Sequence, residues 1–575
     1  DDDLDGDGRL LVDDCDDTDP LRGGEEIPYD GIDQDCDPTT LDDDLDGDGV
    51  LVAEDCDDAD PVWGAPGPVT LPYLVLARNR DVAEACFCVT ELRVEGVVAV
   101  GAVNDLSALT CLTRTGDLSI TPDARVTDLT GLENLVTIDR DLEAWETPSL
   151  TSLHGLDGLT SVGRDFWLSE LPNLVHLDSA RQLVTVQRDI RLIGLPSLES
   201  VDGLNALQII GGDLAIGDDW DLLSLDGLDN LRSVGGSVSI VRALSLNSIR
   251  ALRSLEVVDG DLHLSITSLH ELDGLENLHT VGGELYLQDS PIQSLSPLSG
   301  LMDVGGDITL SSSAFGDLTG LDGLTETQGD LIITSMSTLT SLQGLDNLEQ
   351  INGVLYLTGL PNLESLQGLS NVRVVDGVNL QTLGVSTLTG LQNMPIPRLY
   401  IEHCEQLTSL DGLNPALGTT EVTVIDAAAL VDLSALAGTR SLERFRLQSL
   451  DALQSLHGLE DLIQVRTELF LQNLGMLRSV EELANLTSVG GLLELWQLNR
   501  VTDFHGLENL RTVGGDLEIG NNPRLADIGA LEPLESVAGD LFITLNPRLP
   551  RSSIDLVLAD LDVGGSITIF ANGGP

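Results

Sequence analysis

Asp3, Asp5, Asp7 and Asp14 stand at the spacing from which one loop can wrap a hard cation, and Asp44, Asp46, Asp48 and Asp55 repeat it. A calcium loop takes ligands from positions 1, 3, 5, 7 and 12, with glycine at 6 for the sharp turn. Counted from Asp3, position 7 is the carbonyl of Arg9 and the glycine is Gly8. Counted from Asp44, they are Val50 and Gly49. Aspartate replaces the usual glutamate at position 12, and the shorter side chain makes bidentate closure harder. A second site is expected from Asp16, Asp17 and Asp19, completed in the first loop region by Asp30, Asp33 and Asp35. All-oxygen donors select a hard cation, and calcium tolerates this irregular set better than magnesium. No histidine lies nearby to favour zinc or copper. Ca2+ is therefore the expected cofactor.

These loops belong to a duplication. Residues 1–20 read DDDLDGDGRLLVDDCDDTDP and residues 42–61 read DDDLDGDGVLVAEDCDDADP. The first sixty residues hold 26 carboxylates and two arginines, so repulsion opposes compaction unless cations intervene. Six of the seven cysteines lie in the first fifth of the chain, which points to disulfide staples and an oxidising compartment. Cys15 and Cys36 are expected to close the first module. Cys56 has no counterpart in its own module and can reach Cys86, Cys88 or Cys111; spacing alone leaves that pairing open. Cys404 is left over and reads as a buried free thiol.

Beyond a Pro/Gly hinge at Gly64–Pro68, the sequence becomes periodic. GDLSI at 116–120 returns as GDLAI at 212–216, GDLHL at 260–264, GELYL at 283–287, GDLII at 329–333 and GDLEI at 515–519. The spacing is about 24 residues, with roughly twenty copies. Leu-x-Ile alternates with period two, which predicts a short strand with one face buried. Leu-x-Ser-Leu and Leu-x-x-Val supply two further inward sides. Gly-Gly and Asn-Pro are expected at corners that need a positive or a fixed φ. A lone coil cannot bury its leucines, but stacked coils can. The predicted fold is all-β, a right-handed parallel β-solenoid. Its divisions are 1–61, the calcium-binding repeats; 62–116, a hinge and cysteine-containing cap; and 117–575, the leucine-rich solenoid.

The middle residue of each Leu-x-Ile must point outward. Aromatics are only 3% of the chain, yet Trp167, Tyr286, Tyr356, Tyr400, Phe470 and Phe542 share this one column with Ser119, Glu143, Arg191, His263, Glu494 and Glu518. Such a column is expected to face a ligand. His154, His457 and His505 share a corner position that other repeats fill with Asp226, Asp273, Gln343 or Asp411, so they read as a surface turn and not as a catalytic set.

Composition narrows the function. The formal net charge is −67, which repels a phosphate backbone, so no nucleic-acid partner is expected. All 28 basic residues are arginine, which removes Schiff-base chemistry and a P-loop lysine. No apolar run is long enough to span a membrane. The chain opens inside an acidic motif without an initiator methionine and is expected to be processed or trimmed.

GLENLRTVGGDLEI at Gly506–Ile519 and GLENLHTVGGELYL at Gly274–Leu287 resemble the receptor L-domain family, solenoid relatives of leucine-rich repeats. The resemblance spans about residues 85–575 and implies a binding ectodomain without catalysis, whose cap carries cysteines as Cys86, Cys88 and Cys111 do here. The motifs DxDGDG, DCDDxDP and DGxDxDC resemble MopE-like metal-binding repeats of secreted bacterial proteins, and also thrombospondin type 3 and dockerin-type calcium loops. The second module lacks DGxDxDC. The expected function is an extracellular or cell-surface binding or adhesion protein, not an enzyme, with a protein or glycan ligand on the solenoid face. The alternatives are a polysaccharide-active solenoid enzyme, against which the absence of long insertions counts, and a structural spacer.

Overall fold

Leucine and isoleucine at alternate positions turn one face of a strand inward, and a repeat of about 24 residues brings the next such strand alongside. The computed structural model describes residues 66–177 and 179–573, and they follow that rule. The fold is nearly all β, with parallel strands stacked into a β-solenoid of about 21 turns. It divides into two units. One comprises the described residues to Gly212, with Asp226–Leu228; the other comprises Asp213–Leu225 and the described residues from Asp229.

In the first unit, strands Gly67–Leu71 and Leu74–Leu76 pair in parallel with successive parts of the long strand Val89–Val100, and the helix Asn79–Ala85 lies between them in sequence. Val89–Val100 pairs in turn with Leu112–Ile120. Later coils carry a two-residue and a four-residue strand, as in Ser161–Val162 and Phe166–Ser169. Here arginine replaces the second glycine of the corner. Arg140, Arg164 and Arg188 each meet an aspartate of the preceding coil, Asp117 at 2.6 Å, Asp141 at 3.4 Å and Asp165 at 3.5 Å.

In the second unit, the turn from Leu262 to Val281 shows the core. Leu262, Leu264, Leu269, Leu272, Leu275, Leu278 and Val281 are all fully buried. Coils are tied by side chains as well as by backbone. The corner aspartate accepts a hydrogen bond from the next coil: Asp307 Oδ1 from the Asp330 N–H at 2.7 Å, and Asp330 Oδ1 from the Val354 N–H at 2.7 Å. The asparagine of Gly-Leu-x-Asn-Leu reaches back, as Asn277 Nδ2 donates to the Arg253 carbonyl at 2.7 Å. The Asn-Pro corners form a buried ladder. Asn522 Oδ1 accepts from Leu498 N–H at 2.7 Å, and Asn546 Oδ1 from Asn522 N–H at 3.0 Å.

The corners differ from expectation in one respect. Gly282 and Gly283 do not have positive φ. They are needed because the coils approach so closely: a Cβ on Gly282 would lie 2.1 Å from the Asp259 carbonyl oxygen. Positive φ falls elsewhere. One site is the glycine of Gly-Leu, such as Gly506 at +108°. The other is the residue just after each four-residue strand, such as Asp289 at 49° or Leu545 at 59°.

Strands lengthen in the middle of the second unit. Val354–Leu360 and Gly377–Leu383 have seven residues, Ser441–Gln448 has eight and Gln464–Gln472 has nine. In the last two, Glu443-Arg444 and Arg466-Thr467 stand where other coils have Gly-Gly, and the strand runs straight through the corner. The sheet is therefore wider here than among the four-residue strands.

Candidate ligand-binding face

Parity places the middle residue of each strand outward, and parallel pairing aligns these residues coil by coil. In the first unit Glu143 pairs with Trp167 and Trp167 with Arg191. In the second, His263 pairs with Tyr286 and Tyr286 with Thr309. Farther on, Tyr356, Asn379, Tyr400, Thr423, Arg446, Phe470, Glu494, Glu518 and Phe542 follow one another in register. Each expected aromatic thus occupies the outward column of its unit. They do not form a continuous strip: Thr423 and Arg446 separate Tyr400 from Phe470, a gap of roughly 14 Å at strand spacing.

The expected contacts differ in accessibility. Trp167 is exposed, and Tyr286, Tyr356, Tyr400 and Phe542 are half-buried. Phe470 is a correction: it lies in the column but is only 6% exposed. The Arg446 guanidinium covers its ring, 3.9 Å from the ring centre. Tyr286 meets the His263 ring edge-on at 4.4 Å, and burial lowers the pKa of His263.

The widened strands add outward columns that the Leu-x-Ile pattern did not reveal. Two residues before the middle column stand Arg398, Glu421, Arg444 and Glu468, in register and alternating in sign. Arg444 contacts Glu421 at 3.4 Å and Glu468 at 3.2 Å. Two residues after the column, Glu402 accepts a 2.9 Å hydrogen bond from the Tyr400 hydroxyl and so orients the ring. Burial, and then this bond, raise the Tyr400 pKa. The readable signal was the loss of Gly-Gly in these coils, where Pro397-Arg398, Thr420-Glu421, Glu443-Arg444 and Arg466-Thr467 stand instead.

Because Thr423 is short, the sheet dips between Tyr400 and Arg446. The depression has a volume of about 520 Å³, and its walls include Asn379, Arg398, Tyr400, Arg444, Arg446 and Glu468. That lies within the roughly 300–1,000 Å³ range of small-ligand clefts. Beyond Phe470 the column turns acidic. Glu494 is only 8% exposed, and burial, then the neighbouring Glu518 carboxylate, push its pKa up to about 7.

The remaining sites separate cleanly. His154, His457 and His505 are exposed at corners, and His457 Nδ1 meets Glu460 at 2.6 Å and His505 Nδ1 meets Glu508 at 2.8 Å. Cys86 and Cys111 are disulfide-bonded with Cα atoms 5.6 Å apart. Cys88 is disulfide-bonded as well. Cys404 is a buried free thiol, and burial raises its pKa. The expected calcium ligands from Asp3 to Asp55, with Cys15, Cys36 and Cys56, lie outside the described residues. Among the described residues no group of three His, Cys, Asp or Glu could hold a metal, and no helix is long and apolar enough to cross a membrane.

No family model matches the chain, and no curated protein matches it. Solved structures give matches of low identity over much of the chain. The chain is similar to TLR13 in its complex with ssRNA13, at 15% identity and a TM-score of 0.30, over 82% of this chain and 84% of that one. It is similar to a leucine-rich-repeat protein of Leptospira interrogans, at 15% identity and a TM-score of 0.30, over 65% of this chain and 94% of that one. It is also similar to an internalin of Listeria monocytogenes, at 14% identity and a TM-score of 0.25, over 67% of this chain and 82% of that one.

Proposed function

We propose that this chain is an extracellular or cell-surface binding protein, not an enzyme, that holds a protein or glycan ligand on the outward face of its sheet. The observation that carries this reading is the face at residues 377–472. There the strands widen, the Gly-Gly pair of the corner is lost, and a depression opens between Tyr400 and Arg446. A structural spacer has no use for such a departure from its own repeat. Among the described residues coil lengths stay near 24, without a long insertion of the kind that carries catalytic groups over a sheet. The net charge of −67 disfavours a nucleic-acid ligand. The acidic repeats at 1–61 are proposed to bind Ca2+ through the carboxylates from Asp3 to Asp55 and to become rigid when they do.

Arrays of glycans and of secreted proteins, probed with the whole chain with and without calcium, test this reading. The expected result is a ligand whose binding falls when Tyr400 is replaced by alanine. A chain that binds nothing on either array, or whose ligand ignores every outward substitution, contradicts it.

A further inference from the structure

The chain is acidic almost throughout, with 95 Asp and Glu against 28 Arg. The depression over Thr423 reverses that balance locally. Three arginines, Arg398, Arg444 and Arg446, line it against two glutamates, Glu421 and Glu468. A second depression, among Asn247, Arg250, Glu271 and Asp273, keeps the general sign. The two glutamates are already engaged, both with Arg444, and Glu468 also with Arg446 at 3.5 Å. Arg398 is exposed and forms no ion pair among the described residues. Its guanidinium donates to the backbone carbonyl of Asp376 at 3.2 and 3.3 Å. A guanidinium so placed, beside a cleft of small-ligand size, suits a carboxylate on the ligand.

The other walls indicate what carries that carboxylate. Asn379 Oδ1 is buried and has no hydrogen-bond partner among the described residues. As placed, it needs a donor; with the amide turned over, the same position needs an acceptor. A hydroxyl satisfies either. Glu421, Glu468 and the arginines are planar groups with two oxygens or several N–H groups side by side, which suits adjacent hydroxyls on one ring. Tyr400 supplies a single oriented aromatic face. A peptide would anchor here by filling an apolar pocket, and the lining offers only Leu399 and Ile425 besides Tyr400. Nor can a peptide strand join the sheet here, because Arg398–Glu402, Glu421–Ile425 and Ser441–Gln448 are paired on both sides.

We infer that the depression over Thr423 binds a sugar ring bearing a carboxylate, with the carboxylate at Arg398, the ring against Tyr400 and the hydroxyls among Asn379, Glu421 and Glu468. This rests on the reading of the outward face as the ligand face. The test is an array of uronate- and sialate-containing glycans beside their neutral parents and acidic peptides, followed by calorimetry on the hits. Carboxylated glycans should bind, and reducing the carboxylate to an alcohol should weaken binding about tenfold or more. Arg398→Ala should reproduce that loss, and Thr423→Trp, which fills the depression, should abolish binding. Thermal unfolding should show both variants folded.

Equal binding of the neutral parents, or no effect of Arg398→Ala, overturns the charge assignment. Binding of acidic peptides without any glycan, or silence from every acidic glycan, overturns the sugar assignment. Either result leaves the face reading standing if Thr423→Trp still blocks whatever ligand binds. A ligand indifferent to Thr423→Trp and to the other outward substitutions removes the face reading itself.

Discussion

The guanidinium of Arg446 lies over the ring of Phe470, 3.9 Å from its centre, although the two residues are 24 apart in sequence and belong to successive coils. The stack removes a large aromatic side chain from solvent and leaves a cation on the surface above it. The binding face is thus partly built from contacts between its own outward residues. A double-mutant cycle of Arg446→Ala and Phe470→Ala should give a coupling energy of about 0.5–2 kcal/mol in urea unfolding. Additive effects would mean that the two side chains act independently.

Glu494 gives the face a pH dependence. Its pKa is raised to about 7, mainly by burial and next by the Glu518 carboxylate, while Arg446 opposes the rise and Glu468 adds to it. Unfolded, the group titrates near an ordinary glutamate. The folded state therefore holds the proton more tightly. The associated stability is complete below the unfolded value of about 4.3 and is lost as pH rises toward 7. The loss should be on the order of 1–3 kcal/mol. Glu494→Gln should unfold at a higher urea midpoint than the parent at pH 8 and at nearly the same midpoint at pH 4. Parallel pH profiles for the two proteins would show that Glu494 titrates normally.

Close approach between coils sets the limits on substitution. Gly506→Ala would force a side chain into φ +108° with its Cβ 2.3 Å from the Val480 carbonyl oxygen. A cost of roughly 2–4 kcal/mol is expected. Asn546→Ala leaves the buried Asn522 N–H without its acceptor and removes a donor to the Ile519 carbonyl, at about 1–3 kcal/mol for the stranded N–H. Both variants should lower the urea midpoint, whereas Gly418→Ala should cost less, since nothing lies within 4 Å of its added Cβ. Equal effects at Gly418 and Gly506 would show that φ alone, not coil contact, governs these glycines.

Calcium is expected to act on the first sixty residues and not on the coils. Chelation should expose residues 1–61 to protease while the main thermal transition of the leucine-rich coils stays in place, because those coils are held by buried leucine layers. Asp3→Asn with Asp5→Asn should lower calcium stoichiometry without moving that transition. Peptide mapping without reduction should find Cys15 joined to Cys36. One-step unfolding of the whole chain on chelation would mean that the acidic repeats and the coils form a single cooperative unit.

Much of this fold was legible because period two and a recurrence of about 24 residues are properties of the chain itself. Leu262 and Leu264 had to point the same way, and so did Tyr400 and Thr423 once the coils were in register. What the chain did not display were contacts between coils. Phe470 read as exposed because its cover, Arg446, is set by stacking register and not by its neighbours in sequence. Gly282 read as a positive-φ corner, when what it avoids is the Asp259 carbonyl of the coil before. Nothing in the repeat motif shows that the aspartate of Gly-Gly-Asp ties two coils, as Asp307 does by accepting the N–H of Asp330. The depression over Thr423 was hidden for the same reason, since its walls come from strands at 377–383, 398–402, 421–425, 441–448 and 464–472.

Hydroxyl-radical footprinting of the chain with a partner drawn from the arrays tests the central claim most directly. Tyr400 and Tyr356 share the outward column, whereas Trp220 and Met302, 60% and 59% exposed, lie outside it. The account predicts that the partner protects Tyr400, and Tyr356 to a lesser degree, while Trp220 and Met302 oxidise as in the free chain. Protection of Trp220 or Met302 with Tyr400 unchanged would place the ligand elsewhere and contradict the assignment of the outward sheet face as the binding surface.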